Sequence, residues 1–180
     1  MNRRAVAPTM TEFHEFLQQL RQPEYVHVLL NPIPVYAMAS GILALVAALI
    51  LRSRPAQITA FIVVIFAALS VWPVGEFGER ASDRVYAMSN QEAQQWLDVH
   101  MHRADLGEWV FYVTAAIAVA ALVAPRFRPR TQLPLALATL VFALASLGVG
   151  AWISHAGGKI RHSEFRNGPP PNPVPHEDEH

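Results

Sequence analysis

IPVYAMASGILALVAALILRSRPAQITAFIVVIFAALSVWPV, residues 33–74, decides the fold. It holds two apolar runs, 33–51 and 56–74, with no charged side chain in either, joined by Arg52-Ser53-Arg54-Pro55. About 20 apolar residues in a helix cross the roughly 30 Å of hydrocarbon in a bilayer. Ala, Leu, Val and Ile occupy every side of these runs, whereas a surface helix of a soluble domain carries its apolar residues in one stripe. Four residues allow only an immediate reversal. The stretch therefore predicts an antiparallel helical hairpin in lipid, where every backbone polar group must find its partner inside the helix.

The second half of the chain repeats the pattern. Runs 109–124 and 133–153 are again uncharged, and PRFRPRTQ, residues 125–132, joins them. The expected fold is an all-α membrane protein, an antiparallel four-helix transmembrane bundle. Ala37-x-x-x-Gly41 and Ser146-x-x-x-Gly150 set small residues one turn apart, which lets helix backbones approach closely. Of the 180 residues, 52% are hydrophobic and only 16% charged, against about 25% charged in soluble domains.

Charge placement sets the expected orientation. The two short turns hold five arginines and no acid, while the other end carries the remaining nine Lys/Arg and all fourteen Asp/Glu. Basic turns stay on the cytoplasmic side. The expected location is the inner (cytoplasmic) membrane of a bacterium, multi-pass, with both termini and the long outer loop, residues 75–108, periplasmic. Trp72, Trp109 and Trp152 fall at the outer end, as one side of an aromatic belt does.

The outer segments are read from caps and amphipathicity. Residues 1–26 are expected to be an N-terminal tail with an interfacial helix, placing Phe13, Phe16, Leu17 and Leu20 on one face and Glu12, His14 and Glu15 on the other. Asn31-Pro32 reads as the N-cap and first position of span one. Ser89-x-x-Glu92 has the form of a capping box, opening a helix that runs unbroken into span three as a long extension. Residues 27–162 form the four-span membrane domain, and 163–180 are expected to be a disordered Pro-rich acidic tail.

With no cysteine in the chain, disulfides, thiolate nucleophiles, iron–sulfur clusters and covalent c-type haem attachment are excluded. A net charge of zero gives no electrostatic case for nucleic acid. No charge lies at mid-membrane, so an ion or proton pathway has no support in the sequence.

Histidine remains. Of eight histidines, six fall at the outer end: His14, His27, His100, His102, His155 and His162. A bundle brings such residues to one depth although they are distant in sequence. His27, His100, His102 and His155 are the expected cofactor ligands, with His162 joining them if a metal ion is held. Asp98 and Asp105 lie one helical turn on either side of His102, and with Glu76 they are the expected carboxylates that fix a ligating imidazole. Imidazole and carboxylate without thiolate suit iron, copper or zinc, and imidazole alone suits axial ligation of haem b. The expected function is a redox or metal-binding membrane protein. It would bind b-type haem or a transition metal at its outer face and serve electron transfer with a periplasmic redox partner, in homo- or hetero-oligomers. The alternative expectation is a structural or assembly subunit docking a periplasmic partner, its histidines incidental.

Four motifs carry a resemblance: HVLLNPIPVYAMASG (27–41), GERASDRVY (78–86), DVHMHRADLG (98–107) and WISHAGGKIRH (152–162). Together they make the chain, over residues 27–162, similar to a bacterial four-span membrane family known as domain of unknown function 2231. The resemblance implies a four-span fold and a redox or metal role, without a reaction. Members of that family often place an acidic residue directly after the loop histidine. Here Met101 or Arg103 stands there, so no shared carboxylate ligand is carried over.

Overall fold

The computed structural model describes residues 10–168; residues 1–9, and the Pro-rich acidic tail from 169 onward, lie outside the described residues. Among the described residues seven α-helices follow in order: α1 (Met10–Gln19), α2 (Pro23–Leu30), α3 (Pro32–Ile50), α4 (Arg54–Leu69), α5 (Val71–Met88), α6 (Gln91–Val123) and α7 (Gln132–Arg161). Taken with the short turns that continue them, they make four rods, Pro23–Ile50, Arg54–Met88, Gln91–Arg126 and Pro129–Arg161. Each is long and apolar enough to cross a membrane. The chain is a multi-pass membrane protein, a four-helix bundle with no strand among its described residues.

The short turns force each rod to run antiparallel to the next. α6 packs most extensively on α7 and α3 on α4, and the two hairpins meet through α4 against α6 and α3 against α7. Met38, Leu45, Phe61, Val64 and Phe111 fill the middle, each fully or almost fully buried. Close approach comes from small residues. A Cβ on Gly41 would stand 2.8 Å from Val64 Cγ2, and one on Gly150 would stand 3.1 Å from Val35 Cγ2 and 3.4 Å from Phe111 Cζ. Polar contacts of Thr114 tie α6 to α7 in this core: its hydroxyl lies 2.8 Å from that of Ser146 and donates to the Phe142 carbonyl at 3.2 Å. Large apolar side chains point outward from every rod, among them Leu43, Ile50, Ile62, Phe66, Val119, Val141 and Leu144. Water would leave so much contiguous apolar surface exposed, while lipid covers it. Trp72, Trp109 and Trp152 are likewise exposed, at the end where a belt is expected.

Three local expectations are corrected. Asn31 does not cap span one: it has helical torsions, makes no side-chain cap, and gives its N–H to the His27 carbonyl at 2.8 Å. α2 is thus a kinked extension of α3, broken only because Pro32 has no N–H to continue the ladder. The box at Ser89 shifts by one residue. Asn90 Oδ1 accepts from Ala93 N–H at 2.9 Å and caps α6, while Ser89 Oγ donates back to the Val85 carbonyl. Third, much of the outer loop is helical. α5 carries span two outward to Met88 and packs on α2, with Arg84 and Glu24 paired at 2.6 Å between them.

α6 runs its 33 residues without a break, as its cap and apolar run predict. α1 exposes Phe13, Phe16 and Leu17, the face an interfacial helix sets into the headgroups. Residues 163–168, at the head of the segment expected as a tail, fold back on the bundle. Ser163–Phe165 form a 3-10 turn, and Arg166 donates to the carbonyls of Lys159 and Ile160 and pairs with Glu92 at 3.1 Å.

Candidate functional site: two facing histidines

His27 lies on α2 and His100 on α6, in opposite hairpins, yet their ring centroids are 6.3 Å apart with the planes at 81°. Each ring is held by one device, used twice. His27 Nδ1 is 2.9 Å from the Val74 carbonyl, and a Cβ on Gly78 would stand 2.9 Å from that ring's Cε1 and Nδ1. His100 Nδ1 is 3.1 Å from the Ile153 carbonyl, and a Cβ on Gly157 would stand 3.1 Å from its Cε1 and Nδ1. In both halves the accepting carbonyl and the glycine are four residues apart, one helical turn, on the outgoing rod of the hairpin. Each imidazole therefore lies flush against a neighbouring backbone that only glycine leaves open.

The carbonyls also decide the tautomer. A carbonyl only accepts, so Nδ1 of each ring carries the hydrogen and donates it, and in the neutral ring the lone pair sits on Nε2. No hydrogen bond reaches either Nε2 among the described residues. In both rings a main-chain carbonyl thus takes the tautomer-fixing role that carboxylates fill elsewhere. The His100 ring is buried, and a neutral ring is the ligating form.

Val74 and Ile153 are the last residues of the second and fourth apolar runs, so the pair sits where hydrocarbon gives way to headgroups. His102 and His155 are both exposed. His102 is two residues beyond His100, about 200° around α6, and His155 is two residues from both Ile153 and Gly157 on α7, so both point away from the pair. His162, also exposed, bonds Glu164 at 2.9 Å. Glu76 pairs with Arg80 at 2.5 Å on α5, Asp105 is exposed, and Asp98 is half-buried and engaged in an interaction of its own.

Among the described residues, no group of three or more His, Asp or Glu side chains converges as a cation site. Two imidazoles alone are a poor match for zinc, which takes three or four protein ligands. Axial ligation of a haem asks for only two, since the porphyrin supplies the equatorial nitrogens. Two imidazoles bound end-on to one metal, each at about 2 Å and with its ring centre roughly a bond length farther on, have centroids roughly 6 Å apart. The observed separation agrees. One more feature fits: Trp96, one turn before His100 on α6, is 3% exposed, and its Nε1–H is sealed without a partner.

The sequence placed histidines at this depth but not the carbonyls of Val74 and Ile153, nor the roles of Gly78 and Trp96. Main-chain acceptors have no signature in a sequence; the equal spacing of Val74–Gly78 and Ile153–Gly157 is the one trace they leave. Comparison with protein-family models, with curated proteins and with solved structures finds no match to this chain.

Proposed function

We propose that this protein binds b-type haem between His27 and His100 at the outer end of its bundle and serves electron transfer with a periplasmic redox partner. The observation that carries the reading is the pair itself: two imidazoles from different hairpins, ring centroids 6.3 Å apart, each with Nδ1 engaged and no hydrogen bond to Nε2 among the described residues. Held by His27 and His100, an iron porphyrin would supply one-electron transfer. The chain's own residues do the rest. Val74 and Ile153 hold the rings in the ligating tautomer, Gly78 and Gly157 let them lie against the backbone, and the bundle fixes their separation. Both rings come from helices rooted in the packed core, so the spacing is set before anything binds. The resemblance to the four-span family belongs to the same proposal, as do the bacterial inner membrane and the periplasmic termini.

The test is the visible spectrum of the full chain purified in mild detergent, with pyridine extraction and metal analysis. The expected result is a Soret band and about one haem per chain, lost in His27→Ala and in His100→Ala and kept in His102→Ala and His155→Ala. Absence of both a Soret band and stoichiometric metal in the unsubstituted protein overturns the reading and favours the scaffold alternative.

A further inference from the structure

We infer that Trp96 and Lys159 form a carboxylate subsite one helical turn outward of the His27–His100 pair, which receives an acidic side group of the porphyrin; the inference rests on the haem reading. Among the described residues only two side-chain polar atoms are sealed without a hydrogen-bond partner, Trp96 Nε1 and, at the other end of the bundle, Arg54 Nη1. Native structures keep few such atoms, and each calls for a partner. Trp96 precedes His100 by four residues on α6, so it stands on the same helical face, about 6 Å farther out along the helix.

A cation from the opposite helix joins it. On α7, Lys159 Nζ lies 4.1 Å from the centre of the Trp96 ring. None of the salt bridges among the described residues involves Lys159. The nearby Glu92 is held by Arg166. A buried N–H donor and an ammonium thus flank the outer side of the histidine pair from two helices, and an anion that accepts from both is the group they lack.

Haem b supplies that group. Its carboxylates lie along one edge and the rest of its rim is apolar, so a porphyrin seated between these helices turns the acidic edge outward. That is the side on which Trp96 and Lys159 stand. The pair of histidines then fixes the iron, and Trp96 with Lys159 fixes rotation about the axis joining the two rings.

The experiment compares binding of haem and of its dimethyl ester, which has no free carboxylate, to the haem-free full chain in detergent, read by Soret titration. The expected result is binding of both, with haem at least about tenfold tighter. Lys159→Met and Trp96→Phe should each remove most of that preference while leaving ester affinity and the shape of the spectrum unchanged. Equal affinity for the two porphyrins, or variants that weaken both alike, overturns the subsite and leaves the histidine reading standing. If neither porphyrin binds, the histidine reading falls and the subsite falls with it. Because Trp96 is packed in the outer core, Lys159→Met, half-buried and outside that packing, decides the matter if Trp96→Phe fails to fold.

Discussion

Glycine is the residue that sets the geometry of the proposed site, and its two positions are not equivalent. In a helix interior, Gly→Ala gains up to about 1 kcal/mol. Forcing a methyl group into a filled space costs about 1–3 kcal/mol. At Gly78 the added Cβ would lie 2.9 Å from two atoms of the His27 ring, and that ring cannot step back without losing its 2.9 Å bond to Val74. At Gly157 the contact with His100 is 3.1 Å, and a shift of a few tenths of an ångström relieves it. Gly148, on the same helix, meets nothing within 4 Å. Denaturation of the haem-free protein in detergent should therefore rank the three variants. Gly148→Ala should gain a few tenths of a kcal/mol, Gly157→Ala should stay near neutral, and Gly78→Ala should lose about 1 kcal/mol. Gly78→Ala should also hold haem more weakly than the other two. Equal gains at all three positions would show that the rings do not rest against these backbones.

The elements were legible where one physical signal dominated and illegible where two competed. An uncharged run near 20 residues is a strong helical signal in lipid, and long apolar helices cover all four runs, while the Asn90 region starts α6 within a residue of expectation. α5 was hidden because Pro73, Gly75 and Gly78 resemble a loop; its helix is supported by α2 packing along it, which no local pattern announces. The same limit governs which histidines meet. A helix that is apolar all round carries no phase, so the sequence gives the depth of His155 and His100 but not the face each takes. Interhelical polar contacts show how little such details weigh in the total. Thr114 Oγ1 bonds Ser146 Oγ at 2.8 Å but also donates toward its own Val110 carbonyl at 2.8 Å. Ser146→Ala leaves Thr114 satisfied, and buried hydrogen bonds between membrane helices average about 0.6 kcal/mol. Unfolding of Ser146→Ala in detergent should show a loss of that order. A loss above about 2 kcal/mol would mean that the hydroxyl pair, and not the small-residue packing at Gly150, holds α6 to α7.

At the scale of the whole molecule, both the proposed site and its partner depend on which end faces out. Among the described residues the histidine end carries every acid and the opposite end five arginines in two turns, an asymmetry for which the positive-inside rule predicts insertion with the arginine turns inside. The absence of native cysteine makes this directly measurable, since any introduced thiol is the only one present. Phe127, 80% exposed in the second turn, reports the arginine end without altering an arginine, and Met88, 62% exposed at the tip between α5 and α6, reports the other. In intact spheroplasts a membrane-impermeant maleimide should label Met88→Cys at once and Phe127→Cys only after the membrane is opened. The reverse pattern would keep the four spans and the histidine pair but turn the site toward the cytoplasm. It would thereby replace the periplasmic redox partner with a cytoplasmic one, because a site at the boundary of the hydrocarbon exchanges electrons with the compartment it faces. Labelling of both positions in intact spheroplasts would contradict the fold itself, since rods this long joined by these turns cannot bring both ends to one surface.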